Sequence, residues 1–280
     1  MTTVEERLRS LADQRPIPPS VTAVMTRGAQ LGRRRKARRI VAGTVLAIAL
    51  IVWPVVSLGG LTPASRSQAS VFLTEMAARA GSQPGVDVAG AAYWYARTDV
   101  TYGSLRYTRE VWLGHHVPGK LIQPDGIIGT TTLPAATFAA GSVGITWDGL
   151  LALPTDTNEL YAWMKNAAGG AGHDPDSEVF VEFGDLLRES PAPSALRRAL
   201  YLVAAKIPDV TLTTGLHDAL GRPATAVSRP APEGVGLVRY FIDNKTGAFL
   251  EEQDINADGT VAIQETLVVS GPVASTSVRQ

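Results

Sequence analysis

Cysteine is missing from the 280-residue chain. Its absence excludes disulfides, a thiolate zinc site and lipid attachment through cysteine, so any folded region is held by packing alone. Histidine is scarce: His115, His116, His173 and His217 are the whole set. His115 and His116 are adjacent and would point apart in a strand, and the other two sit in polar stretches. Metal binding needs three or four converging ligands, so solvated or turn histidines are expected. The nucleophile elbow G-x-S-x-G, an H-E-x-x-H helix, a phosphate-binding P-loop and a dinucleotide fingerprint are all missing as well. Gly141 to Gly144 follows no strand–helix pattern and reads as a turn, and Glu251 with Glu252 reads as a solvated strand edge. No enzyme, cofactor or metal centre is therefore expected.

Net charge is zero, but the balance hides a division. Residues 1–39 carry ten basic and three acidic side chains, a surplus of seven, and the rest of the chain carries the opposite surplus. The larger portion is thus acidic, which argues against nucleic acid as a partner.

Long apolar runs are represented once. Ile40 to Leu58, IVAGTVLAIALIVWPVVSL, holds no charged residue and follows Arg33, Arg34, Arg35, Lys36, Arg38 and Arg39. At about 1.5 Å per residue it reaches roughly 28 Å as a helix, close to the hydrocarbon thickness of a bilayer. The expectation is a membrane helix over 40–61, with residues 1–39 cytoplasmic because Lys and Arg beside a span stay inside. A cleaved leader is the competing reading, with Ser67, Gln68 and Ala69 as small residues near a cut. Within 1–39, Val4, Leu8 and Leu11 share a helical face before Pro16, Pro18 and Pro19 intervene. A second short helix over Val21 to Gln30 would lead into the basic run; two such helices cannot bury much, so this segment is either a plain tether or orders against a partner.

Beyond the span, 62–68 reads as a linker and 69–272 as one extracytoplasmic domain, followed by a tail at 273–280. Phe72, Met76 and Ala80 mark an amphipathic helix from Gln68 to Ala80. Ala91–Thr98 and Leu105–Gly114 alternate as a hairpin connected by Asp99–Ser104, with Tyr107 and Trp112 on opposite faces of the second strand. Residues 115–150 read as loops with short strands. Three helices follow, the first capped by Asp156 and the second by Ser177, with Leu196, Leu200, Val203 and Ile207 striping the third. Strand-like segments from Val210 to Val269, separated by short turns, complete an antiparallel meander. The fold class is α+β: one sheet of about six or more strands with helices on one side.

The basic run before the span, YWYARTD with REVWLG, LPTDTNELYAWM, FGDLLRESPAPSALRRALYLVAAKIPDV and RYFIDNKTGAFLEEQDI together resemble a family of actinobacterial single-pass membrane proteins linked to extracytoplasmic-function sigma factors. The external half is similar to the lipoprotein-carrier fold of LolA-like proteins. That similarity implies a curved antiparallel half-barrel whose concave face is covered by helices and holds an apolar group. The His and paired Cys of zinc-type anti-sigma domains are missing from residues 1–39.

Two further features carry candidate chemistry. Asp254, Asn256, Asp258, Gly259, Val261 and Glu265 fit the spacing of a twelve-residue calcium loop, but the flanking segments are strand-like and an ordinary hairpin turn fits better. Glu265 is nevertheless in phase with Val261, Ile263 and Leu267, where an apolar residue belongs. Tyr93, Tyr95, Tyr107 and Trp112 could line an apolar pocket for a lipid or acyl chain, or simply pack on paired strands. The functional expectation is a membrane-anchored sensor or regulator. Its external domain binds a lipid, lipoprotein or protein ligand, and its residues 1–39 engage a sigma factor or another cytoplasmic protein. An envelope carrier or structural protein is the alternative.

Overall fold

The computed structural model describes residues 63–83, 87–140, 143–168, 174–231 and 236–280. Segment 1–39 with its basic run Arg33–Arg39, the apolar run 40–58 and His173 lie outside the described residues. Among the described residues, no helix is long and apolar enough to cross a membrane.

Helix α1 (Pro63–Ser82) starts before the expected Gln68 and absorbs most of the anticipated linker. Proline fits a first helical turn, where its missing N–H would have no partner anyway. Ala69, Leu73, Met76, Ala77 and Ala80 form its buried stripe. Strands β1 (Tyr93–Tyr102) and β2 (Leu105–Gly114) then pair along their full lengths. The connection is only Gly103-Ser104, shorter than expected, and Gly103 turns at φ 57°. Strands β3 (Gly119–Ile122) and β4 (Thr130–Leu133) extend this meander, while β5 (Thr137–Ala140) and β6 (Val143–Thr146) pair separately.

The helical block comprises α2 (Trp147–Leu151), α3 (Thr157–Ala167), α4 (Pro175–Arg188) and α5 (Ser194–Ala204). Asp156 caps α3 as its sequence implied, accepting from the N–H groups of Asn158 and Glu159 at 2.8 and 3.0 Å. Helix α4 is capped instead by Asp174, because Pro175 suits its first position, and Ser177 falls inside the first turn.

A second meander follows: β7 (Thr211–His217), β8 (Pro223–Pro230), β9 (Leu237–Ile242), β10 (Phe249–Ile255) and β11 (Val261–Val273). Pairing of β11 with β1 joins the two meanders into a nine-stranded antiparallel sheet of order β4-β3-β2-β1-β11-β10-β9-β8-β7. Register shifts at Arg97/Thr98, Thr213/Leu216, Phe249/Glu251 and Asp254/Ile255 bend and twist its strands.

One face of the sheet lies under the helices. Trp94, Val111, Val227, Tyr240 and Phe249 from the strands share a core with Leu73, Met164, Phe183 and Leu200 from the helices. The opposite face carries two smaller clusters, one around Ala226, Phe241 and Leu250 and one around Tyr95, Trp112 and Val273. Tyr201 of α5 is fully buried and its hydroxyl donates to the Gly247 carbonyl at 2.7 Å, fastening the helices to the β9–β10 turn.

Candidate functional site

Helix α4 is apolar toward the core. Phe180 and Phe183 meet the Tyr240 ring with centroids 4.9 and 6.0 Å apart, and Phe183 meets Tyr201 edge-on at 5.4 Å. Gly184 sits where any Cβ would run into the Tyr240 ring. The helix start is held by Asp174, which accepts from the Asp176 N–H at 3.0 Å, the Ser177 hydroxyl at 2.8 Å and Arg229 at 2.6 Å.

Another flank of the same helix is acidic. Glu178, Glu182 and Asp185 repeat at helical spacing, and Glu189 continues the row past the last turn. At that end Arg109 of β2 donates to Glu189 at 2.5 Å. Arg188 donates to Glu252 at 2.6 Å and to Glu265, and lies 3.4 Å from Asp185. Two guanidinium groups thus gather four carboxylates. Burial alone would make Arg188 easier to deprotonate, but Glu265, Glu252, Glu189 and Asp185 outweigh it and hold the charge more firmly than usual.

Glu182 differs from the others. It is 4% exposed, and neither carboxylate oxygen has a hydrogen-bond partner among the described residues. Burial first, then the neighbouring Asp185 and Glu178, push its pKa up to about 8. Near neutral pH this carboxyl keeps its proton in a layer crowded with negative charge. An incoming cationic group would pull the pKa down, release the proton and gain a buried ion pair. The acidic row is visible in EVFVEFGDLLRE, but local pattern alone reads such a stripe as solvated, and nothing in it marks a site.

The adjacent pair Glu251 and Glu252 is not a solvated edge, since β10 lies inside the sheet and both residues are buried. Glu252 faces Arg188. Glu251, on the other face, accepts from the Ala219 N–H and the Thr266 hydroxyl, each at 2.8 Å.

The four candidate pocket aromatics do not come together. Tyr93, Tyr95 and Trp112 share one cluster on the sheet face away from the helices. Tyr107 is on the other face, with Glu265 and Arg109 as its charged neighbours. Strand alternation is the reason, since Tyr107 and Trp112 stand an odd number of residues apart. Tyr95 and Trp112 pair with centroids 4.9 Å apart, and the C-terminal residues cover them. The Trp112 indole donates to the Val278 carbonyl at 2.8 Å, and Arg279 donates to Glu110 at 2.6 Å while lying 5.4 Å over the indole ring. Tyr95 donates to Glu110 at 2.6 Å, and burial together with this bond pushes its hydroxyl up to about 12.

Residues 254–265 form a hairpin. Asn256 and Asp258 bond to Thr260 within the turn, and Glu265 points to Arg188 rather than back toward the loop. The phase of Glu265 with its apolar neighbours is thereby explained: it occupies the inner face as an ion-pair partner. His115 and His116, expected to point apart, lie in the turn after β2 and stack on each other at 4.0 Å. His217 ends β7 and is exposed.

No protein-family model and no curated protein matches the chain. Among solved structures, the crystal structure of MucB is similar at 16% identity and a TM-score of 0.35, over 75% of this chain and 60% of that one. The complex structure of Pseudomonas aeruginosa MucA/MucB gives 16% and 0.35, covering 75% and 59%. A LolA superfamily protein, NE2245 from Nitrosomonas europaea, gives 8% and 0.20, covering 69% and 74%. The chain therefore spans about three-fifths of the MucB chains.

Proposed function

We propose that residues 63–280 are the extracytoplasmic binding domain of a membrane-anchored regulator. The domain receives a cationic segment of a protein partner at the acidic flank of α4, and residues 1–39 transmit the outcome to a sigma factor. The observation that carries the reading is Glu182, a carboxyl 4% exposed, without a hydrogen-bond partner among the described residues and shifted to about 8 among Glu178 and Asp185. A group in this condition is unfavourable for the resting fold and favourable for a cationic ligand, which is what a binding site that reports occupancy requires. Anchoring and orientation rest on the apolar run 40–58 and the basic residues Arg33–Arg39 before it. The sigma-factor link rests on the family resemblance of the sequence.

Cells lacking the chain provide the test through their transcript profile. Restoring the chain returns that profile. Exchanging residues 1–32 for an unrelated polar sequence, with the basic run kept, fails to return it, and Glu182→Ala perturbs the same genes. A chimera that restores everything would leave an envelope carrier or structural protein as the better account.

A further inference from the structure

We infer that His115, His116 and Asp148 bind a divalent transition-metal ion of the zinc class at the junction between the large sheet and the helices. The chain offers no thiolate, so imidazole and carboxylate are the donors through which it can hold such an ion. The turn after β2 is tight. A Cβ at Gly114 would strike the Val117 carbonyl, and one at Gly119 would strike the Trp112 carbonyl. The His115 N–H donates to the Ala92 carbonyl at 3.0 Å, which fixes where the turn begins.

This turn overrides the alternation that a strand would impose. The two imidazoles stack with centroids 4.0 Å apart and planes 18° apart, and both Nε2 atoms face one carboxylate. His115 is the rigid member. Its other ring face lies 4.6 Å from Trp147, a fully buried indole that donates to the Val88 carbonyl at 3.2 Å. Asp148 follows Trp147 directly, so the same anchored residue sets the position of the third ligand.

The spacing suits an ion. His115 Nε2 is 2.9 Å from Asp148 Oδ1 and His116 Nε2 is 3.7 Å from Oδ2, with all three donor groups inside 4.8 Å. Tetrahedral zinc with ligands at about 2.0–2.1 Å holds neighbouring donors roughly 3.4 Å apart, between the two observed values. The adjustment falls on the exposed partners, since side chains of His116 and Asp148 are 70% and 64% exposed while His115 is at 11%. Two nitrogens and one oxygen favour zinc, copper or nickel over calcium or magnesium. Three protein ligands leave a coordination position for water or an incoming group, as in exchangeable rather than closed structural sites. The bound ion would staple the β2–β3 turn to the β6–α2 junction, independently of the acidic flank of α4.

The test uses the full chain without an affinity tag, stripped with a chelator, in calorimetric titration and thermal melts. Zinc should bind at one equivalent and raise the melting temperature, cobalt should give a visible absorption spectrum, and calcium and magnesium should do neither. His116→Ala and Asp148→Asn, both at exposed positions, should each weaken zinc by at least about tenfold while leaving the metal-free melt unchanged. His217→Ala should leave zinc binding untouched. Absence of zinc binding in the unmodified chain, or zinc binding that survives the double substitution, would overturn the assignment and leave a histidine–carboxylate hydrogen bond only.

Discussion

Glu252 and Glu265 stand opposite each other as register partners on β10 and β11, and Arg188 of α4 donates to both. Like charges in direct cross-strand opposition destabilise a sheet, so this pairing depends on the guanidinium above it. Replacing Arg188 by Met would leave the two carboxylates facing each other without that partner, at a cost of about 3–5 kcal/mol. Adding Glu252→Gln and Glu265→Gln should recover much of the loss. Denaturant melts of the single and triple variants measure the difference, and equal stability would mean the arginine contributes no compensation.

Glu182 makes stability depend on pH. Its ordinary value is 4.5 and its folded value about 8. Between them the folded chain holds a proton that the unfolded chain has released, so stability falls as pH rises through that window, by about 1.4 kcal/mol per unit from this group. Below the lower value and above the higher one its contribution is flat. Glu182→Gln should remove this slope and be the more stable protein on the alkaline side, by a few kcal/mol. Denaturant melts of both proteins across the window supply the comparison, and parallel curves would refute the shift.

Gly184 tests the packing of α4 on β9. An exposed helical glycine replaced by alanine gains about 1 kcal/mol through helix propensity. Here the added methyl meets the Tyr240 ring, so Gly184→Ala should instead destabilise by about 1–3 kcal/mol. The sign of the change in melting temperature decides between the two effects.

The C-terminal residues shield Trp112. Removing residues 275–280 should expose that indole to acrylamide, and the additional quenching should vanish when Trp112→Phe is combined with the truncation. Arg279→Ala alone should give part of the effect, because Val278 still accepts from the indole. Quenching that does not change on truncation would show that other residues bury this face.

Much of the fold is legible in the sequence because it is encoded locally. Alternation in LRYTREVWLG, the Asn and Gly turns of the second meander, and the Asp156 cap are short-range signals, and each corresponds to an observed element. The start of α1 differs from the expectation because Pro63 reads as a linker residue, although a first helical turn accepts proline. The candidate site is scarcely legible. Glu182, Arg188, Glu252 and Glu265 come from one helix and two strands, and an acidic stripe on a helix reads as solvated unless its neighbours are known. Tyr107 and Trp112 show the converse, since the alternation that separates them is a property of one strand's residue order.

By itself the sequence determined periodicity, turn chemistry, the lack of thiol chemistry, and the split between a basic, apolar leading portion and an acidic remainder, because each depends on residues within a few positions of one another. The tertiary structure decided which faces are covered. Pairing with β9 on one side and β11 on the other makes β10 an inner strand, contacts from Ala219 and Thr266 on one face and Arg188 on the other enclose Glu251 and Glu252, and the turn after β2 brings His115 and His116 onto one carboxylate. Burial and convergence arise from contacts between residues far apart in the chain. Since the cost of a charge depends on what surrounds it, the chemistry of these groups existed only once the chain had folded.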